Sequence, residues 1–144
     1  MLLVCPAGNL SGLTAAVDAG ADAVYLGFRD QTNARAFPGL NFSEDDLRAG
    51  VAYAHARGRK VYIALNTYPS AARMGHWQAA VDRAAELGAD AIIAADAGLL
   101  DYATRAHPTL DRHLSVQGSA TTQAALRWYH ERFGIRRAVL PRVL

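Results

Sequence analysis

Short apolar runs alternate along the whole chain with amphipathic, alanine-rich stretches, and nothing constrains the fold more. The runs fall at residues 2–5, 23–27, 60–65, 91–94, 113–117 and 137–140. Each is too short for a helix, and most are apolar throughout instead of alternating. That is how strands of a parallel sheet read when both faces are covered. Between the runs, apolar residues recur at helical spacing, as in Leu10, Leu13, Ala16 and Val17. Helices are expected from Leu10 to a stop at Gly20, from Ser43 to Gly58, and over 74–87, 96–106 and 120–133. Asn9 or Ser11, Ser43 with Asp46, and Asp96 supply side chains that can accept the open N–H groups of a first helical turn. A weak repeat marks the returns to the sheet: Ala19-Gly20-Ala21-Asp22-Ala23-Val24 is echoed by Leu87-Gly88-Ala89-Asp90-Ala91-Ile92, and loosely by Phe133-Gly134-Ile135-Arg136-Arg137-Ala138. No Gly/Ser/Pro linker divides the pattern. One α/β domain with helices covering a parallel sheet follows, and periodicity leaves a barrel and a doubly wound sheet both open.

Composition narrows the function classes. The chain has 144 residues, 51% of them hydrophobic and 19% charged, which excludes a disordered or fibrous protein. Its net charge of +2 is too near neutral to argue for nucleic acid or an anionic membrane, so no nucleic acid is expected as a partner. Cys5 is the one cysteine, which excludes an internal disulfide or a multi-cysteine metal cage built from this chain. No apolar run approaches the ~20 residues of a membrane span, and the start lacks the basic lead of a signal peptide, so a cytoplasmic location is expected.

In either parallel architecture ligands sit at the carboxyl ends of strands. Those positions carry amides, hydroxyls and arginines, a set suited to holding a polar or anionic small molecule. The stretch 29–42 is long for a connection that usually takes ~2–6 residues, which marks it as functional. Arg35 within it offers a bidentate fork for carboxylate or phosphate, as does Arg29 with less weight. Asn66 and Gln117 each end a buried run where an apolar residue would cost less, and Arg142 follows the last run. The expected substrate-binding set is therefore Asn33, Arg35, Asn66, Gln117 and Arg142, with no catalytic residue assigned and no metal site. Asp96 reads as a helix cap, Cys5 as a packed thiol. His55, His76 and His130 read as solvated, His107 as a helix-end residue, and His113 is left open.

The blocks Cys5-Pro6-Ala7-Gly8-Asn9-Leu10, Gly20-Ala21-Asp22-Ala23-Val24-Tyr25-Leu26-Gly27 and Asn33-Ala34-Arg35-Ala36-Phe37 resemble the start of the collagenase-like peptidase family U-32. Val61-Tyr62-Ile63-Ala64-Leu65-Asn66-Thr67 and Leu114-Ser115-Val116-Gln117 agree in order. The resemblance implies a (β/α) barrel of the TIM type, incomplete here: one partial domain over 1–144, with the rest of the barrel and a cluster-binding region lying downstream. Asp30-Gln31-Thr32-Asn33-Ala34-Arg35, Gly39-Leu40-Asn41-Phe42 and Val139-Leu140-Pro141-Arg142-Val143-Leu144 are most similar to the UbiU-type branch. That likeness implies a part in oxygen-independent ubiquinone biosynthesis. It would be ring hydroxylation of a small-molecule quinone precursor, carried out as a heterodimer with a UbiV-like homologous partner. It also implies a [4Fe-4S] cluster on the full-length protein, with none expected on this chain, which as it stands would be inactive. Other readings are RNA hydroxylation or peptidase activity, as in other members, or a binding module without catalysis.

Overall fold

The computed structural model describes residues 1–142. Six strands are present: β1 (Val4–Pro6), β2 (Ala23–Gly27), β3 (Lys60–Leu65), β4 (Ala91–Ala94), β5 (Asp111–Leu114) and β6 (Arg137–Ala138). The helices α1 (Leu10–Asp18), α2 (Glu44–His55), α3 (Met74–Glu86), α4 (Ala97–Ala106) and α5 (Gln123–Phe133) alternate with them. All pairings are parallel and the sheet order is β1-β2-β3-β4-β5-β6. A doubly wound sheet reverses its strand order at a switch point. This sheet never does, so each crossover lands on the same side and the sheet curls into a half-barrel.

Strand residues divide by parity. Val24, Leu26, Val61, Ile63, Leu65, Ile92 and Leu114 face the helices, where they pack with Leu13, Val17, Leu47, Val51, Trp77, Val81, Leu99, Leu100 and Phe133. The other face gathers Ala23, Tyr62 and Ala91 with Val4, Tyr25 and Ile93. This second cluster lines the concave side. Cys5 belongs to the helix side, packed against the main core.

The caps form as the sequence suggests. Asn9 Oδ1 accepts from Gly12 N at 2.8 Å, Ser43 Oγ from Asp46 N at 3.2 Å, and Asp96 Oδ1 from Leu99 N at 2.8 Å. The repeat has a physical basis too. Gly20 and Gly88 end their helices at φ 94° and 80°, a region open to glycine without strain. Asp22 Oδ2 then accepts from Leu3 N, and Asp90 Oδ2 from Val61 N, both at 2.8 Å. Each aspartate thus ties its returning strand to the preceding one. The third copy carries Arg136 at that position, 3.8 Å from Asp111.

Four elements differ from expectation at a boundary. β1 is Val4–Pro6, because Leu3 is held outside it by Asp22. β5 stops at Leu114: Ser115 Oγ accepts from Gln117 N at 3.2 Å and turns the backbone into a 3-10 turn over Val116–Gly118. Thr122 caps α5, so that helix begins at Gln123 instead of 120, and β6 spans only Arg137–Ala138. Among the described residues no helix is long and apolar enough to cross a membrane.

Candidate functional site

The segment between β2 and α2 brings most of the polar groups to the carboxyl edge of the sheet. It is seated where Gly27 leaves room for Asn33: a Cβ on Gly27 would lie 2.1 Å from Asn33 Nδ2. Asn33 Nδ2 donates to Asn41 Oδ1 at 2.8 Å, and Asn33 Oδ1 accepts from Arg35 N at 3.1 Å. Asn41 sits at φ 75°, a left-handed conformation that asparagine tolerates better than most residues. Its Nδ2 donates to Arg35 O at 2.8 Å and its backbone N to Gly8 O at 2.7 Å. These two buried amides close the loop on itself and on the segment that follows β1.

A second set of contacts fixes the outer arm. Asp30 Oδ1 accepts from Thr32 N (2.9 Å) and Thr32 Oγ1 (2.6 Å), and Asp30 Oδ2 from Arg83 at 3.0 Å. Burial alone would raise this carboxyl's pKa. The bonds from Thr32 and Arg83 outweigh that and hold it below the usual 3.8. Asn66, just past β3, accepts from Ala34 N at 3.0 Å through Oδ1. Thr67 Oγ1 donates to Gln31 O at 2.6 Å and accepts from Trp77 Nε1 at 3.1 Å.

The seated loop walls a cavity of about 450 Å³ on the concave side, to which all six strands contribute. That volume lies within the ~300–1,000 Å³ of small-molecule sites. Register places Tyr25 beside Tyr62, and His113 between Ile93 and Arg137. No aspartate or glutamate lines the cavity. Arg137 donates to Tyr62 Oη at 3.3 Å, and the guanidinium of Arg35 has no carboxylate partner among the described residues. Two guanidinium groups, two phenol rings and three amides without any acid suit an anion attached to a ring. Burial, reinforced by the charge of Arg137, pushes the His113 imidazole down to about 4. It is therefore neutral at physiological pH.

A smaller cavity of about 290 Å³ opens at the amino ends of the strands, with Tyr62, His113 and Arg137 in the partition. Its charges are mixed, and Arg59 pairs with Asp22 at 3.2 Å. Such self-paired charge reads as structural.

Of the five residues expected from sequence, Asn33, Arg35 and Asn66 line the larger cavity together. Gln117 does not line it: it is exposed on the 3-10 turn, where its carbonyl accepts from Tyr68 Oη at 2.7 Å. Arg142 is exposed and also away from it, because β6 ends at Ala138. Tyr25, Tyr62, His113, Arg137 and Asn41 were not in the expected set. The parity of β2 and β3 could have exposed the two tyrosines, since a polar-tipped ring in a buried strand needs somewhere for its hydroxyl. The residues present do not fit an iron–sulfur cluster. Cys5 is the one thiol, it faces the helices, and among the described residues no group of three or more His, Cys, Asp or Glu could hold a metal.

The fold and cavity define a (β/α)-barrel-type protein with a cavity toward the carboxyl ends of its strands. The family model for Peptidase family U32 matches residues 8–144, and the chain belongs to that family. It is 34% identical over 142 residues to tRNA hydroxylation protein P of Helicobacter pylori, and 33% identical over 147 residues to tRNA hydroxylation protein P of Escherichia coli. Each alignment covers 99% of this chain, against 33% and 31% of the relative, so the chain spans about a third of their length. Collagenase of Porphyromonas gingivalis is 32% identical over 127 residues, covering 88% of this chain and 30% of that protein. A solved U32 peptidase superposes with a TM-score of 0.77 at 18% identity, over 97% of this chain and 58% of the other. Thiamine phosphate pyrophosphorylase of Pyrococcus furiosus superposes at 0.63 and 12% identity, over 99% of this chain and 60% of that one, a likeness of fold alone.

Proposed function

We propose that this chain forms the substrate-holding wall of a hydroxylation protein acting on a ring that carries an anionic group. The observation that carries the reading is the acid-free cavity in which Arg35 and Arg137 flank Tyr25 and Tyr62. Arginine forks take the anion, the phenol faces take the ring, and Asn66 completes the rim. The names of the most similar relatives, tRNA hydroxylation proteins, support hydroxylation as the chemistry.

Two substrate classes meet that description. The resemblance of the sequence at 30–35, 39–42 and 139–144 to the UbiU-type branch favours a quinone precursor, hydroxylated without oxygen in ubiquinone biosynthesis beside a UbiV-like partner. The relatives' names favour a nucleobase in tRNA equally well. Deleting the gene and profiling both products by mass spectrometry separates them. Loss of ubiquinone only in anaerobic cells supports the first class. Loss of a hydroxylated tRNA nucleoside supports the second, and unchanged levels of both would refute hydroxylation.

A further inference from the structure

Four of the five histidines are engaged locally. His55 pairs with Asp90 at 2.9 Å and His107 with Asp82 at 2.7 Å. His130 Nδ1 meets Ile135 O at 2.8 Å, and His76 stands 3.6 Å from Asp30. His113 differs on both counts. It is the most buried, at 6% exposure, and neither ring nitrogen has a hydrogen-bond partner among the described residues. Yet no side-chain nitrogen or oxygen among those residues is both sealed from solvent and unbonded, so the free nitrogens of His113 open onto the space of the two cavities between which its ring stands, and the larger of these is the acid-free one. The ring is fixed by Tyr62, whose plane meets it edge-on at 4.6 Å, and Tyr62 is itself held by Arg137.

We propose that His113 is a ligand-contacting residue of the larger cavity, giving a ring nitrogen to a polar group on the bound ring while Arg137 takes the ligand's anionic group. This inference rests on the cavity being the substrate site. The charged and titratable groups around the imidazole are Arg137 from β6, Lys60 and Tyr62 from β3, and Asp111 on its own strand. Burial, reinforced by Arg137 and Lys60 against the opposing charge of Asp111, keeps the ring uncharged. A neutral imidazole offers one donor and one acceptor, whereas the charged form could only donate. The site therefore accommodates a ring whose polar group, donor or acceptor, lies within reach of its anion.

Diethyl pyrocarbonate attacks only uncharged imidazole, so it tests this directly on the purified protein. At about pH 5.5 an ordinary histidine is largely protonated and slow to react, and His113 should be the first site found by peptide mass spectrometry. The probes are 4-hydroxybenzoate and uridine 5′-monophosphate, with binding followed independently through the backbone amide shift of Asn66. A bound probe should slow His113 modification about fivefold or more, in line with its occupancy, and leave His55 and His130 unchanged. His113→Phe keeps the ring and its contact with Tyr62, and should weaken the bound probe about tenfold. An unreactive His113, absence of protection by a bound probe, or unchanged affinity in His113→Phe would each overturn the inference and leave the cavity reading standing. If neither probe binds the folded protein, the cavity reading falls and takes the inference with it.

Discussion

Replacing Gly27 with alanine should unseat the loop that walls the cavity. The added Cβ would stand 2.1 Å from Asn33 Nδ2, 2.5 Å from Asn33 Cγ and 2.8 Å from its Cβ, where ordinary contact begins at 3.4 Å. Asn33 must therefore retreat by 3.4 − 2.1 = 1.3 Å. A shift of that size takes its 2.8 Å bond to Asn41 out of hydrogen-bond range. Overpacking typically costs about 1–3 kcal/mol and the lost amide bond about 1 more, giving a loss of about 2–4 kcal/mol. Urea denaturation measures the loss, and hydrogen exchange at Arg35 and Asn41, both bonded through backbone N–H, locates it. Pairing with Asn33→Ala isolates the cause. In that background Gly27→Ala should cost at least about 1 kcal/mol less, because the atoms it strikes are mostly gone. A single variant within about 0.5 kcal/mol of wild type, with exchange unchanged, would refute this account of the loop.

Other outcomes follow from the same geometry. Asn41→Gly keeps the left-handed backbone but removes the bonds to Asn33 and Arg35 O, and should cost about 1–3 kcal/mol in urea. Arg35→Ala should leave stability within about 0.5 kcal/mol, since its guanidinium pairs with no carboxylate among the described residues, yet weaken 4-hydroxybenzoate measurably in calorimetry. His113 imposes a pH dependence. Between pH 6.5 and about 4 the unfolded chain binds a proton that the folded imidazole refuses, so its contribution to stability falls as pH drops through that window. His113→Phe removes the effect, and the stability gap in its favour should widen from pH 6.5 to about 4; parallel curves would contradict it. Asp30 acts in the opposite range. Its lowered pKa stabilises the fold above 3.8, and Asp30→Asn should flatten the loss seen below that pH.

Much of the fold was legible because each crossover is punctuated locally. Asn9, Ser43 and Asp96 cap their helices within three residues, and Gly20-Ala21-Asp22 and Gly88-Ala89-Asp90 carry both the turn and the strand tie in one tripeptide. The choice of barrel over doubly wound sheet was not periodic information, since it depends on the unreversed strand order. The site was half legible. Arg35 and Asn66 stand where a carboxyl-end residue should, but Asn33 spends both amide atoms on Asn41 and Arg35, a long-range bargain with Gly27 that no spacing announces. Gln117 looked like a strand end until Ser115 bent the chain. His113 and Arg137 were hidden for the opposite reason: strands apolar on both faces lose the alternation that shows which side chains point inward, and in β2 and β3 the polar-tipped rings of Tyr25 and Tyr62 were the one sign of that face.

If the concave cavity holds the proposed substrate, hydroxylation requires the cations that line it. Complementing the gene deletion with Arg137→Ala, with expression matched to wild type, tests it most directly. Arg137 lies on a two-residue edge strand and its loss should spare the fold, while the cavity loses the cation that faces His113 and Tyr62. The account predicts that the hydroxylated product missing from the deletion strain, quinone or tRNA nucleoside, is restored by wild type and not by Arg137→Ala. Full restoration by that variant would contradict it.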